Sequence, residues 1–276
     1  MKSNNKIAFY TFATRNGARN FESEVIRLEQ SLRAFSCSLT RLTTADIENK
    51  LSNSQTILMH ARKGAGYWTW KPSAVLDAMS KCNSQFLVYV DSDFVFLQDP
   101  LTHLIDTKSN FDIALFSQNV PLVENTSRKC LNYFKLSSAR NLRMWTASLI
   151  VINLESPAAR DFVEEWRVLA SEPKLLVDPL FDFSAKHRHD QSILSCMIAN
   201  SSLKIRDLGS GLLSNGSEST AIDAKTAVVR HGVSDVLRAK PTHKSKRFFG
   251  LLYHKYQLLY ILPMIWFARM REGSRN

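Results

Sequence analysis

Apolar and polar residues follow two periods along this chain, and these periods predict strands and helices in turn. Between residues 20 and 35, apolar positions such as Phe21 and Val25 recur every three or four residues, which is typical of an amphipathic helix. The same reasoning predicts strands at 7–14, 37–44, 56–60, 86–93, 111–117, 146–154, 203–208 and 226–232, helices at 72–82, 157–170 and 189–199, and long polar loops at 119–143 and 209–225. This alternation indicates an α/β fold with a mostly parallel sheet flanked by helices.

Composition excludes several protein classes. The chain has 276 residues, of which 45% are hydrophobic and 22% charged, so it is neither a disordered chain, a collagen nor a coiled coil. The longest uninterrupted apolar run, 258–268, is about half of what a membrane-spanning helix needs. The four cysteines are far apart, which predicts neither a zinc site nor a disulfide framework. The N-terminal apolar residues fit a first strand better than a signal peptide, so we expect a cytoplasmic protein.

The positive charge is concentrated at the C-terminal end. The net charge is +11, and residues 238–276 contribute nine basic residues against one acidic residue, which leaves +3 for 1–237. We therefore predict a catalytic domain at 1–237 and a basic, amphipathic helical tail at 238–276 that Pro263 breaks or bends. Its aromatic and aliphatic residues between basic clusters favour peripheral attachment to an anionic membrane surface, the inner face of the cytoplasmic membrane. The alternative is a helix packed on the domain.

Nucleic acid is not predicted as a partner. The basic charge lies in a tail that also carries bulky aliphatic residues, whereas a nucleic-acid interface is expected to be basic without such an apolar run.

Two carboxylates follow the apolar strand at 86–90. Asp91 and Asp93 are separated only by Ser92, and they lie where the predicted strand passes into a loop. Ligands lie beyond the carboxyl ends of strands in parallel sheets, and carboxylate oxygens suit Mg²⁺ or Mn²⁺. The pair therefore predicts a divalent metal site, with a solvated turn as the alternative.

A dense aromatic segment, residues 66–72, stands just before this strand. It contains Tyr67, Trp68, Trp70 and Lys71 ahead of a helix that Pro72 can begin. The functional interpretation is a wall of a nucleotide or sugar pocket, with Lys71 near a phosphate. The alternative is an aromatic cluster packed in the core.

Two histidine-containing segments complete the candidate chemistry. Asp190 and Gln191 open the predicted helix at 189–199, where an acid also interacts favourably with the helix dipole. His231 ends the last predicted strand, and we expect it to be either a structural residue or a third metal ligand.

These segments stand in a fixed order along the chain. The order is G-Y-W-x-W-K-P, then L-V-Y-V-D-S-D-F, then H-D-Q-S, then H-G. With them, residues 5–235 resemble bacterial glycosyltransferases of the GT-A fold, above all those that build capsular polysaccharide and lipopolysaccharide such as O-antigen. The resemblance implies a GT-A-like, Rossmann-like domain, a nucleotide-diphosphate sugar donor and Mn²⁺ or Mg²⁺ as cofactor.

The resemblance also implies roles for individual residues. Asp91 and Asp93 look like the metal and donor-ribose carboxylates, with Ser92 beside the donor. His231 looks like a later metal ligand, although the chain departs from those enzymes in the residues that follow it. Asp190 and Gln191 look like the pair that flanks the reacting sugar.

The predicted reaction is metal-dependent transfer of a hexose of the galactose or glucose type. The donor is expected to be UDP-linked, the acceptor to be lipid-linked or a polysaccharide, and the anomeric configuration to be retained. Two alternatives stay open. One is an inverting transferase with Asp190 as general base, and the other is a nucleotidyltransferase that uses the same carboxylates.

Overall fold

The computed structural model describes residues 6–13, 21–61, 63–105, 110–177, 187–209, 213–214, 228–230 and 258–270. The strands in chain order are β1 (Ile7–Phe12), β2 (Leu39–Leu42), β3 (Phe86–Val90), β4 (Phe94–Phe96), β5 (Ile113–Pro121), β6 (Arg143–Asn153), β7 (Ile205–Asp207), β8 (Leu213–Ser214) and β9 (Val228–Arg230).

The helices lie between these strands. They are α1 (Glu22–Arg33), α2 (Thr44–Ile47), α3 (Asn53–Leu58), a helical turn α4 (Gly64–Tyr67), α5 (Lys71–Lys81), α6 (Pro100–Leu104), α7 (Arg128–Tyr133), α8 (Pro157–Ala170), α9 (Pro173–Leu176) and α10 (Asp190–Asn200). As predicted, prolines occupy the first turns of α5 and α8, where a missing N–H leaves no hydrogen bond unmade.

Six strands form the main sheet, in the order β2-β1-β3-β6-β5-β7. The parallel pairs are β1 with β2, β1 with β3, and β5 with β7, whereas β6 is antiparallel to both β3 and β5. Five of the six strands therefore share one direction, which confirms the predicted α/β class and mainly parallel sheet. A smaller sheet of β4, β9 and β8 continues from the end of β3.

The strand β3 is buried on both faces, as its uninterrupted apolar sequence predicts. Its residues alternate between two cores, because successive side chains of a strand point to opposite faces. Leu87 and Tyr89 pack with residues of α5, α8 and α10, and Val88 packs with residues of α1 and α6. The sheet is thus covered by helices on both sides, and the carboxyl end of β3 opens towards the candidate site.

Three predicted segments differ from the structure. The predicted loop at 209–225 contains β8 (Leu213–Ser214). Residues 56–60, predicted as a strand, belong mostly to α3, because Ser52 and Gln55 form a capping box that starts a helix. The predicted loop at 119–143 contains the end of β5 and all of α7. Ser127 caps α7 by accepting a hydrogen bond from the backbone of Cys130.

The described part of the predicted tail is a helix, 258–270, packed on the domain. Leu258, Ile261 and Ile265 are buried in the core that also holds α5 and α8. The helix continues through Pro263, so the predicted break is wrong; this proline lies on the exposed side, while the buried side holds the helix in place. Within the described part of the chain, no helix is both long and apolar enough to cross a bilayer.

A guanidinium near the end of this helix fastens it to the domain. Arg269 pairs with both carboxylate oxygens of Glu172, at 3.0 and 3.1 Å, and donates to the Ser54 hydroxyl at 3.0 Å. It also donates to the backbone carbonyl of Ser171 at 3.1 Å. A planar, forked donor matched to a carboxylate fixes the helix more strictly than a lysine would.

Candidate active site

The predicted carboxylate pair lies at the carboxyl end of β3, where a tight turn leads into β4. The Asp91 N–H donates to the Ser148 carbonyl at 2.8 Å, and the Phe94 N–H donates to the Asp91 carbonyl at 3.3 Å. Asp91 and Asp93 are both half-buried, and Ser92 between them is buried. The turn therefore presents two carboxylates from a backbone that the sheet holds in place.

The ammonium group of Lys71 is buried beside Asp91. Its Nζ lies 3.0 Å from Asp91 Oδ1 and 3.6 Å from Asp190 Oδ2, and it donates to the Ala147 carbonyl at 3.2 Å. Tyr89 donates its hydroxyl hydrogen to Asp91 Oδ1 at 3.2 Å. The structure thus brings together Lys71, Asp91 and Asp190, which are far apart in sequence. Contact of Lys71 with a donor phosphate stays a prediction.

Burial raises the pKa of two groups in this cluster, Asp190 and Tyr89. Burial raises the pKa of Asp190 to about 7, Lys71 opposes the rise, and the charge of Asp91 adds to it. Burial also raises the pKa of the Tyr89 hydroxyl well above its usual range, and the neighbouring Asp91 raises it further. Asp190 can therefore gain or lose a proton near neutral pH, as a general acid or base requires.

Two buried histidines set the position of Asp190, the first residue of α10. His187 contacts the Leu175 carbonyl through Nε2 at 2.8 Å, and its Nδ1 accepts from the Ser127 N–H at 3.1 Å. His189 contacts the Leu176 carbonyl through Nδ1 at 2.8 Å. The segment before Asp190 is thus fixed to α9, and both histidines are buried.

The backbone of His189 is strained. Its φ is 53° and its ψ is −121°, a conformation that glycine adopts far more readily than histidine. Such residues persist only where the surroundings hold them, and they cluster at functional sites. The contacts of His189 hold this conformation directly before Asp190, which aims α10 at the cluster.

A run of left-handed residues precedes α5. Gly64, Ala65, Gly66, Tyr67 and Trp68 all have φ between 47° and 94°. L-residues avoid consecutive left-handed positions, so this turn is costly and must be held by its surroundings. It is held by hydrogen bonds such as Gly66 N–H to the Ala61 carbonyl at 2.9 Å and Trp68 N–H to the Gly64 carbonyl at 3.2 Å.

The turn orients the three rings of the aromatic segment differently. Tyr67 and Trp70 are buried, and Trp70 stacks on Phe12 with ring centroids 4.1 Å apart. Trp68 is half-buried and stacks on His189 at 5.9 Å. Two rings therefore pack in the core, and Trp68 is the ring of the segment best placed to meet a ligand.

Gln191 contacts a residue that sequence reasoning missed. Its Nε2 donates to Gln118 Oε1 at 3.0 Å, and Arg188 donates to the same oxygen at 2.7 Å. Gln118 lies on β5 with no recognisable motif around it. Only the pairing of the strands and the start of α10 bring it to the site.

The oxygen donors of Asp91 and Asp93 fit a hard divalent cation such as Mn²⁺ or Mg²⁺. Among the described residues, no group of three or more histidine, cysteine, aspartate or glutamate side chains forms a complete cage. His231, the predicted third ligand, lies outside the described residues. The two carboxylates would thus share the cation with further ligands.

Comparison with solved structures identifies the fold of the chain. The structure is similar to that of mouse xyloside xylosyltransferase 1, with a TM-score of 0.50 and 10% identity over 83% of this chain and 98% of that one. It is also similar to the bifunctional glycosyltransferase WbbM, with a TM-score of 0.51 and 11% identity over 83% of this chain. The chain has the fold of the GT-A glycosyltransferases. The match spans 46% of the length of WbbM, somewhat under half. No protein-family model and no curated sequence matches the chain.

The left-handed turn makes a testable prediction. A Cβ added at Gly66 would lie 2.7–2.8 Å from backbone atoms of Met59 and Leu58, whereas one added at Gly209 would meet nothing within 4 Å. Both glycines have positive φ, 94° and 83°, so both substitutions carry the left-handed penalty. Gly66→Ala should therefore lower the free energy of unfolding by about 1–3 kcal/mol more than Gly209→Ala, as overpacking does. Urea denaturation of the two variants checks this, and equal losses would contradict the described turn.

Proposed function

We propose that this protein is a metal-dependent glycosyltransferase that moves a hexose from a nucleotide-diphosphate donor to an acceptor. The observation that carries the proposal is the convergence of Asp91 and Asp190 on the buried ammonium of Lys71 in a GT-A fold. This cluster lies at the carboxyl end of a central strand, where ligands bind in α/β sheets. A core built only for stability would bury apolar side chains there instead of two acids.

Asp91 and Asp93 are the residues that would hold the cation, with His231 as a further ligand. When bound, a divalent cation neutralises charge that develops on the leaving diphosphate. The donor is UDP-linked in our proposal, with a sugar of the galactose or glucose type. Trp68 offers its partly exposed ring to the base or the sugar, and Ser92 adds a hydroxyl beside the carboxylates.

The residues of α10 act on the sugar. Glycosyl transfer passes through an oxocarbenium-like state, in which positive charge develops on the anomeric carbon. Asp190 and Gln191 present a carboxylate and an amide oxygen that stabilise this charge. The Lys71 ammonium group holds the Asp190 carboxylate in place and opposes the rise of its pKa. We propose that the configuration at the anomeric carbon is retained, because an amide oxygen and a carboxylate side by side stabilise positive charge without removing a proton.

One observation favours a second mechanism, inversion with Asp190 as general base. The raised pKa of Asp190, about 7, suits proton transfer from an acceptor hydroxyl near neutral pH. The anomeric configuration of the product separates the two mechanisms, since a base-assisted single displacement inverts it.

We further propose that the acceptor is a lipid-linked or polysaccharide precursor of a bacterial surface glycan, reached at an anionic membrane surface on the cytoplasmic side. The outward side of the helix 258–270 supports this, because all of its exposed residues are apolar: Leu259, Tyr260, Pro263, Met264, Trp266, Phe267 and Met270. At 3.6 residues per turn they cover one side of the helix, opposite the buried Leu258, Ile261 and Ile265. Apart from Arg269, which pairs with Glu172, the other eight of the nine basic residues of 238–276 complement anionic lipid headgroups.

The metal requirement gives a direct test of the proposed reaction. Transfer from UDP-galactose or UDP-glucose should stop in excess chelator and return with Mn²⁺ or Mg²⁺. Asp93→Ala should lower turnover about a hundredfold or more, since the charge on the diphosphate then lacks its counter-charge. Its circular dichroism should match the wild type, because Asp93 is not part of the apolar core. Full activity in chelator would contradict the metal assignment.

The exposed side of the helix predicts how the protein binds membranes. Trp266→Ser with Phe267→Ser should abolish sedimentation with vesicles of phosphatidylcholine and phosphatidylglycerol, because burial of both rings at the headgroup boundary is lost. Wild-type binding should weaken as salt is added. Substitution is preferred to deletion, since the opposite side of this helix is core.

The matched control for this test is Leu97→Ser with Leu101→Ser. These two leucines are also exposed, at 40% and 41%, but they lie just after β4 and in α6 and not on the helix 258–270. The control variant should bind vesicles as the wild type does. Equal binding by the Trp266 and Phe267 variant, or a wild-type dimer that this variant converts to monomer, would contradict a membrane as the occupant of this surface.

A further inference from the structure

We propose that Gln118 is a positioning residue that determines which end of the Gln191 amide faces the reacting sugar. The inference rests on the proposed function, in which the carbonyl oxygen of Gln191 stabilises positive charge on the transferred sugar. Without a constraint, the amide can turn its NH₂ group towards the sugar, where its hydrogens oppose the developing positive charge. A contact that fixes the orientation of this amide therefore contributes to catalysis through Gln191.

Three side chains form the orienting network. Arg188 donates through Nη1 to Gln118 Oε1 at 2.7 Å, and Gln191 donates through Nε2 to the same oxygen at 3.0 Å. The Gln118 oxygen thus accepts from both residues, one on each side of the strained His189–Asp190 step.

Donor chemistry makes this arrangement directional. A guanidinium can only donate hydrogen bonds, so the atom of Gln118 that faces Arg188 must be the carbonyl oxygen. The atom of Gln191 that contacts this oxygen must then be the NH₂ nitrogen, because two carbonyl oxygens at 3.0 Å repel. It follows that the carbonyl oxygen of Gln191 points away from Gln118. The hydrogen-bond donors of Arg188 therefore determine, through Gln118, the orientation of the Gln191 side-chain amide.

The backbone on both sides of the network is anchored. Gln118 lies on an irregular stretch of β5, where the pairing register with β6 shifts. The preceding Ser117 donates its N–H to Asp207 Oδ1 at 3.1 Å, which holds that stretch against β7. Such irregularities re-aim strand side chains, and here the side chain reaches the first turn of α10. On α10, the Gln191 carbonyl accepts from the Ser195 hydroxyl at 2.8 Å.

The orientation has a chemical consequence. A carbonyl oxygen carries partial negative charge and favours a cationic anomeric carbon, whereas the NH₂ hydrogens oppose it. Loss of the orientation should therefore slow the chemical step and leave binding of the nucleotide nearly unchanged. A residue that only supported the fold would change stability rather than this ratio.

Single variants provide the first test, with turnover of UDP-galactose or UDP-glucose as readout. Gln118→Ala should lower kcat about tenfold or more, with little change in KM for the donor, because Gln191 can then turn its NH₂ group towards the sugar. Gln118→Glu should recover most of this loss, since a carboxylate oxygen also accepts from both neighbours. Gln30→Ala, on the exposed side of α1, controls for the loss of a glutamine and should be active. A loss in Gln118→Ala that appears in KM alone would overturn the proposal.

A double-mutant cycle with Gln191→Glu provides the decisive test. A carboxylate has two equivalent oxygens, so nothing remains for Gln118 to orient. Adding Gln118→Ala to Gln191→Glu should thus cost little further in kcat, although it costs about tenfold in the wild type. Multiplicative losses would overturn the orienting role. Failure of the proposed function is distinguishable, because the wild type would then turn over neither donor, whereas a failed role of Gln191 alone would leave Gln191→Ala fully active.

Discussion

The candidate site depends on one buried cation, the ammonium of Lys71. An isolated buried charge costs several kcal/mol, and here two carboxylates from different segments compensate it. Asp91 comes from the turn after β3 and Asp190 from the first turn of α10, so a single charge fixes three segments of the chain at one point. The cluster nevertheless carries more negative than positive charge. Burial is the main cause of the raised pKa of Asp190, and the charge of Asp91 adds to it. The excess of negative charge suits the binding of a proton or a divalent cation.

The sequence predicted those parts of the fold and site that local patterns determine. The apolar run of β3 and the carboxylates behind it, the prolines that begin α5 and α8, and the helix that opens at Asp190 all follow from neighbouring residues. The strand predicted at 56–60 was wrong. The apolar residues there suggested a strand, but the capping box of Ser52 and Gln55 starts a helix just before them. Gln118 carries no local signal at all, since only the packing of β5 against α10 gives it a partner.

Strain and exposure mark the parts of the molecule that stability alone does not explain. The left-handed turn that ends at Trp68 and the positive φ of His189 meet where Trp68 stacks on His189, beside Asp190. Both are conformations that a chain adopts only under constraint, and both aim residues at the site. One side of the helix 258–270 packs in the core, and the other side leaves apolar residues exposed. Neither the predicted membrane-binding tail nor the alternative of a helix packed on the domain described both features.

The most direct test of this account is the turnover of Asp190→Asn with UDP-galactose or UDP-glucose. The substitution keeps the shape of the side chain and leaves Lys71 paired with Asp91, so the fold should persist. The account predicts that kcat falls at least about a hundredfold while donor affinity changes little, because the lost charge acts on the transition state. Asp161→Asn, an exposed change of equal charge on α8, should keep wild-type turnover. Wild-type turnover in Asp190→Asn would contradict the assignment of this buried cluster as the catalytic centre.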